Sequence, residues 1–443
     1  MRSDHKAVVA YAEHLQLTVK EKTKKLYRQV TPAQHALFLQ HISKLDFDIS
    51  NDPSTDTQSL FYCFYDSVLQ LLNSFYPERT ITMTTRDPDY MTAGIKAKLR
   101  RKNRLMHAGR VEEAEALTVR IGKDIASRNK TRLSHIDSKG NAKDMWVAYR
   151  HLTGSKQRVN VVDGISADSL NQHYAAISTD TSYQPPPRKQ TATSNVTEVV
   201  SEWRMFNLLD HLCATATGPD QLPAWFLRLG APLFYKPLTH LFNVSISTGV
   251  IPRQWKAASI CPVPKISSPV SLTDFCPISI TSVLSRVMER LVVRQFIYPA
   301  LLAPPPSLAF NDQFAFRPSG STTAAIIAIL QTVTNLLSDH PYVIVIGLDF
   351  SKAFDTVRHA TLLQKFAQLD IPDAVYNWLV DYFAGHSHST KYGCSTSSVC
   401  QISASIVQGS AIGPVSYVVN ASDLRAATPG NELSRFCATF CGT

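Results

Sequence analysis

Residues 342–357 read YVIVIGLDFSKAFDTV, an apolar run that ends on the carboxylate of Asp349. Four β-branched residues in succession, Val343 to Ile346, predict a buried strand with Asp349 at its exit. Burying a carboxylate is costly without a partner, so two chemical readings are open for it. Asp349 holds a metal ion in a cleft, or it caps the helix that Leu362, Leu363, Phe366 and Leu369 predict downstream. A second string, QGSAIGP (408–414), places an amide beside a glycine that lets the backbone approach a ligand closely. The same Gln408 and Gly409 would also punctuate an ordinary turn. Near a predicted helix start, Ser321 can cap and Arg317 can meet an anion. The remaining chemistry is electrostatic. Lys96, Lys98, Arg100, Arg101, Lys102 and Arg104 crowd one segment, either as a phosphate-tracking face or as a solvated helix surface.

The elements that must carry these residues differ along the chain. Phe61, Phe64, Val68, Leu69 and Leu72 recur at helical spacing and predict a small helical unit. Residues 91–133 predict one long helix, or two with a break near Gly109, with Leu117, Ile121 and Ile125 as the later apolar stripe. Residues 179–193 turn polar around Pro185-Pro186-Pro187 and read as a linker. Beyond them the pattern becomes apolar and mixed α/β. Of the net charge of +10, a surplus of 8 lies in residues 1–200 and only 2 in the remainder. That asymmetry suggests a basic arm that meets a polyanion. No apolar stretch is long enough to cross a bilayer, and no secretory signal follows Met1. The eight cysteines form no C-x-x-C pair, which points to a reducing, intracellular setting, nucleus or cytoplasm.

LDFSKAFDTV resembles the first palm motif of reverse transcriptases from LINE-type, non-LTR retrotransposons. Other strings with the same resemblance surround it in the family order. GPDQLPAWFL (218–227), QWKAASICPVPK (254–265) and DFCPISI (274–280) are similar to fingers motifs. NDQFAFRPSGSTTAAI (311–326) resembles the template-side motif, and SIVQGSAIGP (405–414) the second palm motif. The resemblance implies an α/β fold: right-hand polymerase fingers and an incomplete palm, preceded by a mainly helical basic region. It implies boundaries at 1–178 for that basic region, 179–199 for the linker and 200–443 for the reverse transcriptase domain.

By the same resemblance, the function is RNA-directed DNA synthesis on an RNA template with a DNA primer and deoxynucleoside triphosphates. Asp349 and the backbone carbonyl of Phe350 would hold Mg²⁺. Lys265, Lys352, Ala353, Phe354, Gln408 and Gly409 would surround the incoming nucleotide, with Phe354 under its sugar. Arg317 and Ser321 would face the template, and the 96–104 cluster would serve as a nucleic-acid arm. Two departures count against activity. Cys276 stands where the family keeps an Arg that grips the triphosphate, and a thiol makes no charge-assisted phosphate contact. After NELSRF (431–436), where the family has an aromatic residue, Ala and paired Asp, this sequence has Cys437, Ala438, Thr439 and Phe440. One carboxylate does not hold two Mg²⁺ ions. The expectation is a partial, catalytically inactive copy. The alternatives are a non-catalytic RNA- or single-stranded-DNA-binding protein and an inert product of a mis-called frame.

Overall fold

A computed structural model describes residues 22–45, 47, 56–84, 87–88, 90–133, 162, 164–191, 199–317, 320–348, 350, 352–426, 428 and 431–435. The chain divides into two compact units, residues 1–31 with 73–159 and residues 32–72 with 160–443. In chain order the first elements are β1 (Lys22–Arg28), α1 (Pro32–Ile42), α2 (Thr57–Phe75), β2 (Glu78–Thr84), α3 (Ala93–His107) and α4 (Val111–Leu133). They are followed by α5 (Ala167–Ile177), α6 (Glu202–Asp210), α7 (Ala224–Leu229) and α8 (Ala231–Thr248). The last group is β3 (Ala257–Pro264), β4 (Phe275–Ile280), α9 (Val283–Val292), α10 (Thr322–Asp339), α11 (His359–Phe366), α12 (Asp373–Phe383), β5 (His386–Tyr392), β6 (Ser395–Thr396), β7 (Cys400–Ile402) and α13 (Gly413–Asn420).

The first unit pairs β1 with β2 antiparallel, from Lys22 opposite Thr84 to Arg28 opposite Glu78. Arg28 fixes the ribbon by donating to Asn73 Oδ1, the Tyr76 carbonyl and Glu78. The stretch expected as one helix or two is two. Thr92 caps α3 by accepting from the Ile95 N–H, and Gly109 turns the chain at φ +71° before α4 begins. That conformation suits a residue without a Cβ. Ile95, Leu105, Ala114 and Ile121 are buried where the helices meet.

In the second unit, β3 pairs antiparallel with β4 (Val263 opposite Cys276) and parallel with β5 (Ile260 opposite Thr390). β6 and β7 pair antiparallel with opposite ends of β5, completing a five-stranded mixed sheet. An aromatic core of Phe61, Phe64, Phe226, Phe234, Phe242 and Trp255 lies among the helices of this unit. Burying side chains of this size contributes about 2–3 kcal/mol each. The GPDQLP string docks onto the exit of β4. Ser282 Oγ donates to buried Asp220, and a Cβ at Gly218 would sit 2.6 Å from the Thr281 carbonyl oxygen.

The observed units differ from the expected boundaries in three ways. α2, read with the N-terminal region, belongs to the second unit through Leu72. α5 lies before the expected boundary at 178, yet its Ala167, Leu170 and Tyr174 share a core with Ile260, Phe275 and Tyr392. Residues 179–191 are also tied down rather than free. Asp180 N–H donates to Ser403 Oγ at 2.9 Å, and the Asn377 side chain bonds both the N–H and the carbonyl of Lys189. Proline offers no N–H, so side chains of α12 make the hydrogen bonds that a strand partner would otherwise make.

The largest correction concerns the expected buried strand. Residues 342–348 form no strand among the described residues, and Ile344 and Leu348 are 75% and 85% exposed. A β-branched run favours extended backbone but becomes a strand only when another strand satisfies its N–H and C=O groups. No described residue does so here.

Candidate functional site

The site is assembled by three segments converging on β3, β4 and β5. The Ile406 N–H donates to the Phe354 carbonyl and the Ser405 N–H to the Val357 carbonyl, both at 2.8 Å. The Ser279 N–H donates to the Gln408 carbonyl at 2.9 Å. These bonds bring the second motif string against the first and against the end of β4. Gly409 makes the approach possible. Its φ is +104°, and a Cβ there would lie 2.5 Å from the Ser279 carbonyl oxygen.

Gln408 lies at the centre. Its amide nitrogen donates to Asp355 Oδ1 at 2.9 Å, and its amide oxygen accepts from the Cys276 thiol at 3.3 Å. The Cys276 side chain is thus buried against Gln408, at the position where an arginine was expected. Asp355 is held above the ordinary carboxylate range by burial, while Gln408, Lys265, Lys352 and His173 oppose that shift. His173 is lowered by burial, then by Lys352 and Lys265. Two of the expected cations therefore act on one carboxylate. Lys352 has φ +55°, a backbone conformation that costs a non-glycine residue about 1 kcal/mol or more and that clusters at functional sites.

Phe354 stands in an aromatic cluster, stacked on Tyr417 with ring centres 5.3 Å apart and edge-on to Phe316 at 6.2 Å. Phe316 and Phe354 come from two motif strings, and Tyr417 from α13 just beyond a third. Ala353 is half-buried in the turn at 352–356, where Lys352 O accepts from the N–H groups of Asp355 and Thr356. Ser321 caps α10 by accepting from the Ala324 N–H. Arg317 donates to the Phe310 carbonyl, so its guanidinium shapes the loop before α10. Phe350 is exposed. Asp349 lies outside the described residues, as do Cys437, Ala438, Thr439 and Phe440.

Behind Gln408 lies a small cavity of about 30 Å³, lined by the polar Asp355, His386, His388 and Gln408 and by apolar side chains such as Ile260 and Ile402. This space suits ordered water, far short of the several hundred Å³ that a nucleotide fills. His388 Nδ1 meets Asn171 Oδ1 at 2.7 Å, and the Asn171 amide nitrogen donates elsewhere, so Nδ1 carries the proton. Its Nε2 is then a bare acceptor, and it and the Nε2 of His386 are buried without a protein partner among the described residues. Burial holds His386 down to about 3 and His388 to about 4. Glu289, buried and held above the usual carboxylate range by that burial, accepts from the Ala411 and Ile412 N–H groups and from Ser285 Oγ. It fixes the loop that follows Gln408.

Sequence reasoning missed Asp355, His173, the two β5 histidines and Glu289. Asp355 was legible as the second carboxylate of LDFSKAFDTV. The HSHS alternation of β5 puts both histidines on one face of a strand. His173 and Glu289 carry no local signal.

On the arm, Lys96 pairs with Asp87 and Lys98 with Asp124. Arg100, Arg101, Lys102 and Arg104 have no acidic partner among the described residues. Arg100, Arg101 and Arg104 lie on one side of α3 at positions i, i+1 and i+4, all exposed.

Residues 263–436 match the reverse transcriptase (RNA-dependent DNA polymerase) family. The chain is 28% identical over 221 residues to the RNA-directed DNA polymerase from mobile element jockey of Drosophila melanogaster, covering 49% of this chain and 24% of that protein. It is 28% identical over 191 residues to the probable RNA-directed DNA polymerase from transposon BS of the same fly, covering 42% and 20%. The Pol polyprotein from type-1 retrotransposable element R2 of Popillia japonica is 22% identical over 226 residues, covering 50% and 29%. The chain thus spans less than a third of the length of each of these relatives. It carries a reverse transcriptase domain. That domain is of the LINE-type, non-LTR retrotransposon kind.

Proposed function

We propose that the second unit is the fingers and front palm of a non-LTR reverse transcriptase, and that this copy engages nucleic acid without polymerising it. One observation carries the reading: the Cys276 thiol is buried against Gln408 at the position where the resemblance expects a triphosphate-gripping arginine. Lys265 and Lys352 supply the remaining positive charge, and Asp355 balances them from within the protein. Losing one main electrostatic contact to a reacting phosphate costs about a hundredfold to a thousandfold in rate.

Mg²⁺ belongs to the family chemistry, in which it would neutralise the phosphates of the incoming nucleotide. Among the described residues no group of three His, Cys, Asp or Glu side chains could hold a metal ion. Asp355 is directed to Gln408. Asp349 as the one remaining carboxylate of the expected set does not fit a two-ion site. The sequence adds Thr439 and Phe440 where paired Asp is expected.

The test is primer extension on a primed RNA template with Mg²⁺. The expected result is no incorporation of deoxynucleotides. Cys276→Arg alone, or Thr439→Asp with Phe440→Asp alone, should not restore it, because groups that act as one unit are non-additive. Extension by the unmodified chain, abolished by Asp349→Ala, would overturn the reading.

Nucleic-acid engagement rests on the free cations of α3. RNA and single-stranded DNA should bind without sequence preference, and affinity should fall steeply with salt through counterion release. Replacing Arg100, Arg101 and Lys102 with Gln should flatten the slope of log affinity against log salt by about 2, at about 0.7 per phosphate contact. An unchanged slope would remove α3 from the interface.

A further inference from the structure

Every residue of α9 is buried except Arg286 and Arg290. The chain continues as a π-helical turn (Val293–Ile297), where Arg294 is exposed. The solvent stripe of α9 is therefore arginine alone, and Arg294 extends it by four residues, each step being about 6 Å. α6 adds a fourth cation. Arg204 Nη1 donates to Gln295 Oε1 at 2.7 Å, which brings α6 alongside the turn that holds Arg294. Arg286 is half-buried and donates to Thr215 Oγ1 and the Ala216 carbonyl, and Glu289 and Asp220 act on it from the buried side. Arg290 donates through Nε to the Arg286 carbonyl at 3.1 Å and stays exposed. Among the described residues no carboxylate forms an ion pair with any of the four, the two on α6 (Glu202 and Asp210) included.

A second observation narrows what this surface takes. Trp203, the neighbour of Arg204 on α6, is 72% exposed, and its ring stacks on Phe206 with centres 6.2 Å apart and planes 18° apart. Tyr235 of α8 meets Phe206 edge-on at 6.1 Å and so supports it from behind. An indole held on a supported ring, with most of its surface in water, is a stacking platform. Arginines alone would suit any polyanion, and an exposed aromatic alone would suit any apolar partner. Together they match a chain of phosphates that carries unstacked bases: guanidinium groups pair with phosphate oxygens and aromatic faces take bases. A duplex keeps its bases stacked on one another, so the aromatic selects a single strand.

We infer that α9 and α6 form a second nucleic-acid surface, on which single-stranded RNA or DNA lays its phosphates along Arg290 and Arg294 and stacks a base on Trp203. The inference rests on the proposed engagement of nucleic acid, but not on α3, which belongs to the other unit. The inner face of α9 has a separate task, since its Glu289 fixes the loop that follows Gln408. One helix therefore shapes the candidate site with its buried side and offers a strand of nucleic acid its arginine side.

Fluorescence anisotropy of the full chain tests this with labelled oligo(U) and oligo(dT) of about 16 nucleotides, titrated over a salt series. The two oligonucleotides distinguish RNA from DNA as the occupant. The chain carrying Arg100→Gln/Arg101→Gln/Lys102→Gln is the background, so that α3 does not mask the second surface, and residual binding is the first expected result. In that background Arg290→Gln/Arg294→Gln should flatten the slope of log affinity against log salt by about 1.4, at about 0.7 per phosphate contact. Trp203→Ala should weaken binding about tenfold and leave the slope unchanged, because stacking releases no counterions. Trp203→Phe should recover most of that loss. All three side chains are exposed, so circular dichroism and thermal unfolding of the variants should match their background. No residual binding in the α3-substituted chain would overturn the inference and leave the α3 reading standing, whereas no binding by the parent would overturn both. A slope indifferent to Arg290 and Arg294 would overturn it too. So would an affinity indifferent to Trp203, which would mark a general polyanion patch instead.

Discussion

Residues 359–366 and residues 342–348 lie close together in sequence and are both rich in large apolar side chains, but their surroundings are opposite. α11 buries Leu362, Leu363 and Phe366 completely, with Phe366 against Phe383 of α12. The 342–348 run leaves most of its side chains in solvent. A helix closes its own backbone hydrogen bonds and needs neighbours only for one face. A strand depends on a partner for both backbone and side chains, so the same apolar content gives a packed element in one case and an exposed run in the other. Local pattern is therefore enough to place a helix and insufficient to place a strand.

The sharpest way to break this comparison is truncation in the packed region. Phe366→Ala should lower the unfolding free energy by about 3–5 kcal/mol, through lost burial and the cavity left behind. Urea denaturation followed by tryptophan fluorescence would measure it. A loss below about 1 kcal/mol would mean that α11 is no better packed than the run before it.

A smaller effect should come from the β5 histidines. His386 and His388 titrate near 3 and 4 in the folded protein because burial disfavours their charged forms. In the unfolded chain they take up protons near pH 6.5, so lowering the pH favours unfolding. Their contribution is complete above about pH 6.5 and falls by about 1.4 kcal/mol per pH unit for each histidine, down to roughly pH 4. Asp355 and Glu289 oppose this, since burial raises both and protonation relieves their cost in the folded state. Comparing parent and variant isolates the histidine. Between pH 7 and pH 5 the parent should lose about 2 kcal/mol more than His388→Gln. Equal losses would show that His388 titrates alike in the folded and unfolded chain.

The order of the motif strings was legible in the sequence, and the structure brings three of them together: Cys276 meets Gln408, and Gln408 meets Asp355, the carboxylate on which Lys265 and Lys352 act. Asp355 is the second carboxylate of its string, whereas the apolar run points to Asp349. The linker expectation at 179–193 failed because proline-rich backbone can be held by side chains such as Asn377, which leaves no mark on local composition. Domain limits failed at α2 and α5 for a related reason. An amphipathic helix reveals that it has a buried face, and nothing about which core receives it.

The smallest expected effect sharpens the comparison from the other side. Ile344→Ala removes a large apolar side chain that is 75% exposed in the single chain. Burial supplies the energy that truncation removes, so little is lost here, and β propensity without a partner strand adds almost nothing. The change in unfolding free energy should fall within about 0.5 kcal/mol, against the several expected at Phe366. The measurement has to be made at low nanomolar protein, because any association would stabilise the folded chain and make the midpoint depend on concentration. Under those conditions the urea midpoints of Ile344→Ala and the parent should coincide. A loss above about 1 kcal/mol at that dilution would place Ile344 in the interior of the single chain and remove the contrast between the two regions.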